Sequence, residues 1–585
     1  MKTSSYKGFE TWLSGLRMSL KMYLYILVAF GIFHIILSFC FLYYRNRDLI
    51  REISGYLVWS IQLHHPINWP GVALYGKYLW SDWLYLLLIF GSLYLIYPFV
   101  LMLFKGRATD QAKTQHLRGV SLIPDHQFAA AIGKGDLPIG SFRLPWKEEN
   151  KHCFIVGRPG TGKTVFLSQV VYRLSQRKEK AIIYDPKGDY TESFFDPSRD
   201  ILFNPLDQRS AGWCIFDDLK TQLDINSISL SLIPPTFSEN SFWHDGARAV
   251  FSGLIHYLWK EDMRTNEGIW KAVTQPGADI YKALNSIPEG KAGARFVENP
   301  DSPQAKGIFA TMMQYAQAFQ FMNDSSESIS LIEWLNSKDS GFIFVTNQAD
   351  TQDTLRPILS LFIDYLGKKL LSLPDDLNRR IFFILDEFGS LQRLSSIKDL
   401  LTVSRSKGGS CWIGIQDMGQ LRKLYTPDIA NTIVNACGTS VMFAVSDPDT
   451  AQYLVRKIGD TEIIETEETH SMGVENYRDG VSMTSRRKRQ PLLLNSDFMT
   501  LADLHAYVKI PNSPFVTVTE FPVYNYKKKM APFIIRDNLN LSNIIVTQEE
   551  IRQEVEQNVF TIGKSDKYRS LGTEPDIGGV EHALW

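Results

Sequence analysis

One stretch decides the fold: Gly157-Arg158-Pro159-Gly160-Thr161-Gly162-Lys163-Thr164. It matches the pattern G-x-x-x-x-G-K-[ST] at every fixed position, follows the apolar run 153–156 and precedes a helical pattern from 165 onward. A strand, a glycine-rich loop and a helix form the context that a phosphate-binding loop requires. The alternative, a chance glycine-rich turn, leaves that order of elements unexplained.

This loop predicts ATP and Mg²⁺ as ligands. Its glycines let backbone N–H groups close on phosphate oxygens, and the start of the following helix adds partial positive charge. In this arrangement Lys163 reaches the β- and γ-phosphates, and the hydroxyl of Thr164 ligates Mg²⁺.

A second acidic motif follows the clearest strand of the sequence, Ile381–Leu385, as Asp386-Glu387. We expect Asp386 to hold the Mg²⁺ shell through water and Glu387 to orient or deprotonate the attacking water. Two adjacent acids can instead cap a helix. The strand that leads into them and the loop at 157–164 favour the catalytic interpretation.

Two further residues are candidates for catalysis. Gln416 ends the apolar run 411–415 and is placed to sense the γ-phosphate. Arg405 precedes that run, where a guanidinium entering a neighbouring subunit's site stabilises transition-state charge. A solvated arginine on a helix is the alternative for Arg405.

Other apolar runs, at 181–184, 342–345 and 440–445, alternate with helical stretches. This alternation predicts an α/β fold with a parallel, doubly wound sheet and a site at the carboxyl ends of its strands. Because Lys163 and Asp386 are far apart in the sequence, we expect a further domain between them, and residues 225–325 are largely helical by pattern.

Residues 22–44 and 83–104 contain no charged side chain, and each reaches the roughly 20 residues that a membrane-spanning helix needs. Two buried helices of a soluble core are the alternative. Since nucleotide is cytoplasmic, two spans place both chain ends in the cytoplasm and residues 45–82 in the periplasm. The predicted organisation is therefore a cytoplasmic N-terminus at 1–21, a two-helix anchor at 22–104, a nucleotide-binding domain at 105–224 and 326–540, an all-α domain at 225–325, and a tail at 541–585.

The composition excludes a chain coated in positive charge, because the formal net charge of the 585 residues is −1. A local basic channel remains compatible with that sum. Basic runs occur at 486–489 and 527–529, where solvated loops are the alternative to phosphate contacts. The five cysteines are scattered, which favours buried thiols in a reducing compartment over a disulfide framework or a zinc site.

With these motifs in place, the chain resembles the TraD-type coupling proteins of conjugative type IV secretion systems over residues 20–530. The resemblance is carried by the phosphate-binding loop and by the motifs 185–188, 204–209, 242–243, 385–387, 404–408 and Gln416. It implies a RecA-like P-loop NTPase domain with an all-α insertion domain, preceded by a two-helix transmembrane anchor in the bacterial inner membrane. It also implies that Arg405 is the trans-acting arginine and Gln416 the sensor glutamine.

The resemblance further implies a homo-hexameric ATPase that receives relaxase-bound single-stranded DNA from the relaxosome and its accessory proteins. The DNA passes to type IV secretion channel components next to membrane lipid. Two alternatives remain: a nucleotide-gated receptor for protein cargo, and an FtsK-type DNA translocase. The residues leave open the strandedness of the DNA and the number of subunits.

Overall fold

The computed structural model describes residues 24–25, 28–29, 31–41, 43–73, 115–236, 241–323, 328–471 and 480–536. These residues divide into two compact units. One contains the described residues up to Gly119 together with Asp460–Pro491, and the other contains Val120–Gly459 and the described residues from Leu492 onward.

The strands, in chain order, are β1 (Gln115–Gly119), β2 (Ser121–Leu122), β3 (Leu137–Ile139), β4 (Phe142–Leu144), β5 (Cys153–Val156), β6 (Lys180–Asp185), β7 (Ile201–Phe203), β8 (Gly341–Thr346), β9 (Ile381–Leu385), β10 (Gly409–Ile415), β11 (Thr439–Met442), β12 (Asp460–Ser471), β13 (Gly480–Pro491), β14 (His505–Lys509) and β15 (Phe515–Glu520).

The helices, also in chain order, are α1 (Arg47–Gln62), α2 (Asp125–Ile132), α3 (Trp146–Glu149), α4 (Lys163–Arg177), α5 (Asp189–Phe194), α6 (Gln222–Leu232), α7 (Ser241–Lys260), α8 (Asn266–Val273), α9 (Gly277–Asn285), α10 (Lys291–Phe296), α11 (Pro303–Ala316), α12 (Leu331–Asn336), α13 (Gln352–Leu371), α14 (Ile397–Val403), α15 (Met418–Leu424), α16 (Pro427–Ala436), α17 (Pro448–Ile458) and α18 (Asn495–Met499).

The second unit is built on a ten-stranded sheet with the order β2-β15-β14-β11-β5-β10-β9-β6-β8-β7. The part from β11 to β7 is parallel throughout. Every residue of β5, β9 and β10 is buried, as expected for a parallel sheet that is covered on both faces. The phosphate-loop strand β5 lies between β11 and β10, and β10 separates it from β9.

The expectation of a wholly parallel sheet is wrong at one edge. β14 pairs antiparallel with β11, and β15 pairs antiparallel with β14. Only residues 510–514 join β14 to β15, and a connection that short permits an antiparallel pair but no parallel crossover.

Apolar side chains of the central strands alternate between two cores. Phe154 and Val156 belong to one core, and Cys153 and Ile155 belong to the other. The first core continues into the helices α6–α11, while the second packs the sheet against α4. Between β7 and β8 the described residues form helices and turns without a named strand, and these helices belong to the same compact unit as the sheet.

Residues 521–536, which we call the strap, run from the end of β15 to the region after β7. Gln169 of α4 donates through Nε2 to the carbonyl of Pro522 at 2.7 Å. At the far end, Arg209 donates to the carbonyl of Ala531 at 2.8 Å, and the backbone N–H of Ile534 donates to Asp207 at 3.2 Å. Asp207 and Arg209 pair with each other at 2.6 Å, so part of the motif at 204–209 fastens the strap.

In the first unit, β12 pairs with β13 along twelve residues and with β1 at its beginning. The basic run 486–489 lies on β13, where Arg486 and Arg489 are opposite Glu465 and Glu462 of β12. Lys488 pairs with Glu465 at 3.0 Å, and Arg489 pairs with Asp460 at 2.7 Å. These contacts offset the positive charge that made this run a candidate for phosphate binding.

Among the described residues, no helix has the length and apolar character needed to cross a bilayer. The candidate span 22–44 lies only partly within those residues, and the candidate span 83–104 lies outside them. The predicted N-terminus 1–21, residues 74–82 of the predicted periplasmic loop and the tail 541–585 also lie outside the described residues. The helix α1 falls within the predicted loop 45–82.

Candidate nucleotide-binding site

The loop 157–164 connects the end of β5 to the start of α4. Gly160 and Gly162 have φ angles of 82° and 115°, in the left-handed region that favours glycine. α4 begins at Lys163 without a side-chain cap. Its first backbone N–H groups are therefore available to an anionic ligand, which the partial positive charge of the helix start also favours.

Lys163 lies between the loop and two carboxylates. Its Nζ donates a hydrogen bond to the carbonyl oxygen of Gly157. Desolvation lowers the pKa of Lys163, and the charges of Asp386 and Glu387 oppose that shift. A phosphate group beside Nζ would add negative charge and favour the ammonium form.

Asp386 is half-buried and directly follows β9, and its Oδ2 atom accepts two hydroxyl hydrogen bonds. Tyr190 of α5 donates at 2.8 Å, and Thr164 of the loop donates at 3.3 Å. Burial raises the pKa of Asp386, whereas Tyr190, Lys163 and Thr164 hold it down. A carboxylate and a hydroxyl in contact supply the oxygen ligands that Mg²⁺ prefers, so these residues fit the ion.

Glu387 and Gln416 follow neighbouring parallel strands, β9 and β10. The side-chain amide of Gln416 donates through Nε2 to Oε1 of Glu387 at 2.5 Å. The amide therefore fixes one carboxylate oxygen of the predicted base. A change in the position of Gln416 would move Glu387 with it.

Nine of the predicted site residues line one cleft, and Gly157, Thr161 and Arg405 do not. It is lined by Arg158, Pro159, Gly160, Gly162, Lys163 and Thr164 of the loop, and by Asp386, Glu387 and Gln416. Residues that the sequence analysis did not assign to the site also line it, namely Val165, Asp185, Pro186, Lys187, Asp189 and Leu504. The cleft lies at the carboxyl ends of β5, β6, β9 and β10, where ligands of open α/β sheets bind.

Asp185 is a buried carboxylate at the end of β6. Its Oδ2 accepts from the backbone N–H and the hydroxyl of Thr191, both at 2.8 Å. Desolvation nevertheless raises the pKa of Asp185 to about 6. The residue thus fixes the start of α5, the helix that carries Tyr190.

Sequence reasoning missed Tyr190 and Leu504. Tyr190 stands in the short run Asp189–Phe194, where no spacing rule marks it as a partner of Asp386. Leu504 has a φ of 62° and donates from its backbone N–H to the carbonyl of Thr161 at 2.9 Å. Only the tertiary fold brings either residue to the cleft.

Arg405 is not in the cleft of its own chain. It lies exposed before β10, whereas Gln416 follows that strand. The seven residues of β10 place these two positions roughly 20 Å apart. The carbonyl of Arg405 accepts from Asn150 Nδ2 at 3.4 Å, while its side chain faces outward. Arg405 therefore does not line the cleft of its own chain.

Glu387 also lines a second cleft, which it shares with His244 of α7 and Tyr315 of α11. We call the helices α6–α11 the helical segment. The residues that follow Glu387 are tied to that segment. Gln392 donates through Nε2 to the carbonyls of Ser231 and Leu232, both at 3.0 Å, and Arg393 donates to the carbonyl of Pro235 at 2.8 Å.

Comparisons with known proteins agree with this arrangement. Residues 136–520 match the family described as "Type IV secretion-system coupling protein DNA-binding domain". The coupling protein TraD of Escherichia coli strain K12 is 28% identical over 586 residues, which cover 92% of this chain and 81% of TraD.

Two solved structures of the plasmid coupling protein TrwB have the same fold. TrwB with the non-hydrolysable ATP analogue ADPNP superposes with a TM-score of 0.64 at 24% identity, covering 72% of this chain and 97% of TrwB. TrwB with ADP and Mg²⁺ gives 0.64 at 23% identity, with the same coverage. The match to the family extends over more than half of the sequence, and the chain therefore belongs to the coupling proteins of type IV secretion systems.

Proposed function

We propose that this protein is a membrane-anchored ATPase that couples the relaxosome to a type IV secretion channel and pumps relaxase-bound single-stranded DNA during conjugation. The observation that carries the proposal is the cleft itself. It combines an uncapped helix start at Lys163, the hydroxyl–carboxylate pair of Thr164 and Asp386, and the base–amide pair of Glu387 and Gln416.

The residues of the cleft have different roles in ATP hydrolysis. The loop backbone and Lys163 bind the phosphates, and Thr164 with Asp386 would hold Mg²⁺. Bound Mg²⁺ neutralises phosphate charge that develops during transfer. Glu387 orients the attacking water, and Gln416 keeps its carboxylate in place.

Arg405 completes the site from the adjacent subunit. Its distance from its own cleft supports an assembly in which each nucleotide lies at a subunit boundary. A homo-hexamer with cyclic symmetry provides one such boundary per subunit and leaves a central passage for DNA. ATP is the substrate of each site.

The connection from Glu387 to the helical segment supports pumping over simple nucleotide binding. Ser390 donates to the carbonyl of Glu387 at 2.8 Å, and two residues later Gln392 donates to the carbonyls of the last two residues of α6, Ser231 and Leu232. A shift of Glu387 between nucleotide states therefore reaches the helices through few covalent bonds.

The membrane anchor rests on the sequence of residues 22–44 and 83–104, which predicts two spans and an inner-membrane location. Its test is carbonate extraction of cell membranes, with and without residues 1–114. A full-length chain that is released by carbonate would contradict the anchor.

The decisive experiment measures ATP turnover and conjugative transfer together. We expect single-stranded DNA to stimulate turnover of the wild-type oligomer, and Lys163→Ala to abolish both turnover and transfer. Transfer is scored separately for DNA and for relaxase alone. If Glu387→Gln binds ATP, fails to hydrolyse it and still supports full transfer, the protein is a nucleotide-gated receptor and the pump proposal is wrong.

A further inference from the structure

A groove on the second unit lies outside the nucleotide cleft. It is bounded by the β3–β4 hairpin, by the later part of α4 and by the strap. Tyr172 lies nine residues after Lys163, so this groove is displaced by roughly 14 Å along the axis of α4. None of its lining residues has a role in the proposed hydrolysis.

Three tyrosines form one wall of the groove. Tyr172 comes from α4, and Tyr524 and Tyr526 come from the strap. The ring of Tyr526 lies 5.3 Å from that of Tyr172 and 6.4 Å from that of Tyr524, and it also packs on Phe194 at 4.9 Å. Tyr526 is therefore the fixed centre, while Tyr524 and Tyr172 remain 58% and 46% exposed.

The same groove is lined by the cations Arg143, Arg173 and Lys527, and Lys528 and Lys529 follow directly. The nearby acid Asp136 accepts two hydrogen bonds from Arg173 Nε, each 3.0 Å long. The acid Glu192 pairs with Lys528 at 2.8 Å. The groove thus carries more positive than negative charge.

Exposed aromatic rings beside a row of cations match one class of ligand. Proteins that bind single strands without sequence preference use a positive groove for the backbone and aromatic side chains for base stacking. A duplex keeps its bases stacked inside, where Tyr524 and Tyr172 cannot reach their faces. We propose that this groove binds single-stranded DNA, with bases on Tyr524 and Tyr172 and phosphates on Arg143 and Lys527.

Hydrogen bonds hold the strap in place at the groove, where the single-stranded DNA would lie. Gln169 holds Pro522, and the carbonyl of Glu192 accepts from the backbone N–H of Lys529 at 2.8 Å. Since Gln169 and Tyr172 both belong to α4, single-stranded DNA bound in the groove would contact the helix that begins with Lys163. The proposal depends on the groove alone and stands independently of hydrolysis.

The test uses the full-length chain and a fluorescein-labelled oligothymidylate of about 15 nucleotides. We expect Tyr524→Leu to lower affinity about tenfold, because it removes a stacking face, and Tyr524→Phe to bind like wild type. Lys527→Ala should reduce the slope of log K against log salt by about 0.7. ATP turnover without DNA should remain unchanged in all three variants, which also shows that they fold.

Other surfaces of the chain can bind DNA, so location is tested separately. An oligothymidylate with 5-iododeoxyuridine should cross-link under light to Tyr524 or Tyr172. Wild-type affinity in Tyr524→Leu, or cross-links confined to other residues, overturns the proposal. Equal loss of heparin binding identifies a general polyanion patch and also overturns it. Loss of binding to anionic vesicles alone would make the groove a lipid surface instead.

Discussion

The phenol of Tyr190 and the carboxylate of Asp386 share a hydrogen bond of 2.8 Å, formed at the oxygen that also accepts from Thr164. Tyr190 thereby orients the predicted metal ligand without entering the phosphate loop. It is buried, and desolvation together with the charge of Asp386 raises its pKa well above the usual range, so it stays a donor.

Tyr190→Phe is expected to weaken the apparent Mg²⁺ affinity of ATP hydrolysis about tenfold, as is usual when the partner of a metal ligand is lost. The lost hydrogen bond raises the pKa of Asp386 further, so the acid limb of the pH–rate profile should move to higher pH. A Mg²⁺ titration of turnover measures the effect.

Tyr365→Phe is the matched control. Its buried hydroxyl donates to the carbonyl of Asp218 at 2.9 Å, away from the cleft. This variant should lose stability and keep the wild-type Mg²⁺ dependence. An unchanged Mg²⁺ titration in Tyr190→Phe would show that Tyr190 has only a structural role.

Asp185 should make the protein less stable as pH rises from about 4 to about 6. Burial raises its pKa to about 6 from the ordinary value of 3.8, so the folded state binds more protons than the unfolded state in this range. Ionisation then costs about 3 kcal/mol at neutral pH. The free energy of unfolding of Asp185→Asn, taken relative to that of the wild type, should therefore be larger at pH 7 than at pH 4. Denaturation at both pH values, without nucleotide or Mg²⁺, gives the difference, and a difference near zero would refute the assignment.

The position of Arg405 predicts complementation between inactive chains. Arg405→Ala keeps an intact phosphate loop, and Lys163→Ala keeps an intact arginine. Mixed at random in a ring, they restore about one active boundary in four. ATP turnover of co-expressed chains should therefore recover in part.

Co-expression of Lys163→Ala with Glu387→Gln is the control for this experiment. Both residues line the same cleft of one chain, so no mixture of these two variants rebuilds a site. Recovery in the control pair, or none in the test pair, would contradict a contribution of Arg405 in trans.

Asp364 holds together the helical segment, α13 and the residues before α14. Its fully buried carboxylate accepts from the hydroxyls of Ser231, Ser395 and Ser396, each at 2.6 Å, and Lys368 lies 3.4 Å away. Asp364→Ala removes the carboxylate that accepts from these serines and that neutralises the charge of Lys368, which should lower the free energy of unfolding by about 4 kcal/mol.

Asp279→Ala is the comparison for this variant, because Asp279 pairs with Lys282 on an exposed surface of α9. Its effect should stay within about 0.5 kcal/mol. Chemical denaturation followed by tryptophan fluorescence compares the two. If Asp364→Ala lowers the free energy of unfolding as little as Asp279→Ala does, the serine hydroxyls form hydrogen bonds with water instead.

The sequence predicted those parts of the molecule that depend on local pattern. The runs before Asp386 and Gln416 are buried strands, and parallel strands bring their carboxyl ends to one edge, so both residues reach the loop that contains Lys163. The match of residues 136–520 to the coupling-protein family confirms the resemblance that these motifs indicated.

The remaining features depend on contacts between distant segments. Three features join residues whose local sequences give no sign that they are partners. They are the antiparallel pair β14–β15, the hydrogen bond from Tyr190 of α5 to Asp386, and the pairing of Lys488 with Glu465. The role proposed for Arg405 requires a second chain. The sequence pattern does not predict such pairings, because neither hydrophobic periodicity nor motif spacing specifies which distant residue is the partner.

The strap has a mechanical consequence. It starts at β15, next to one margin of the sheet, and ends at a bridge between Ile535 and Asp207, beside the opposite margin, roughly 40 Å away across the strands. Local unfolding at either edge of the sheet must therefore stretch the strap or detach it. Asp207→Asn should accelerate amide hydrogen exchange in β7 and in the strap together, whereas β9 in the interior keeps its protection.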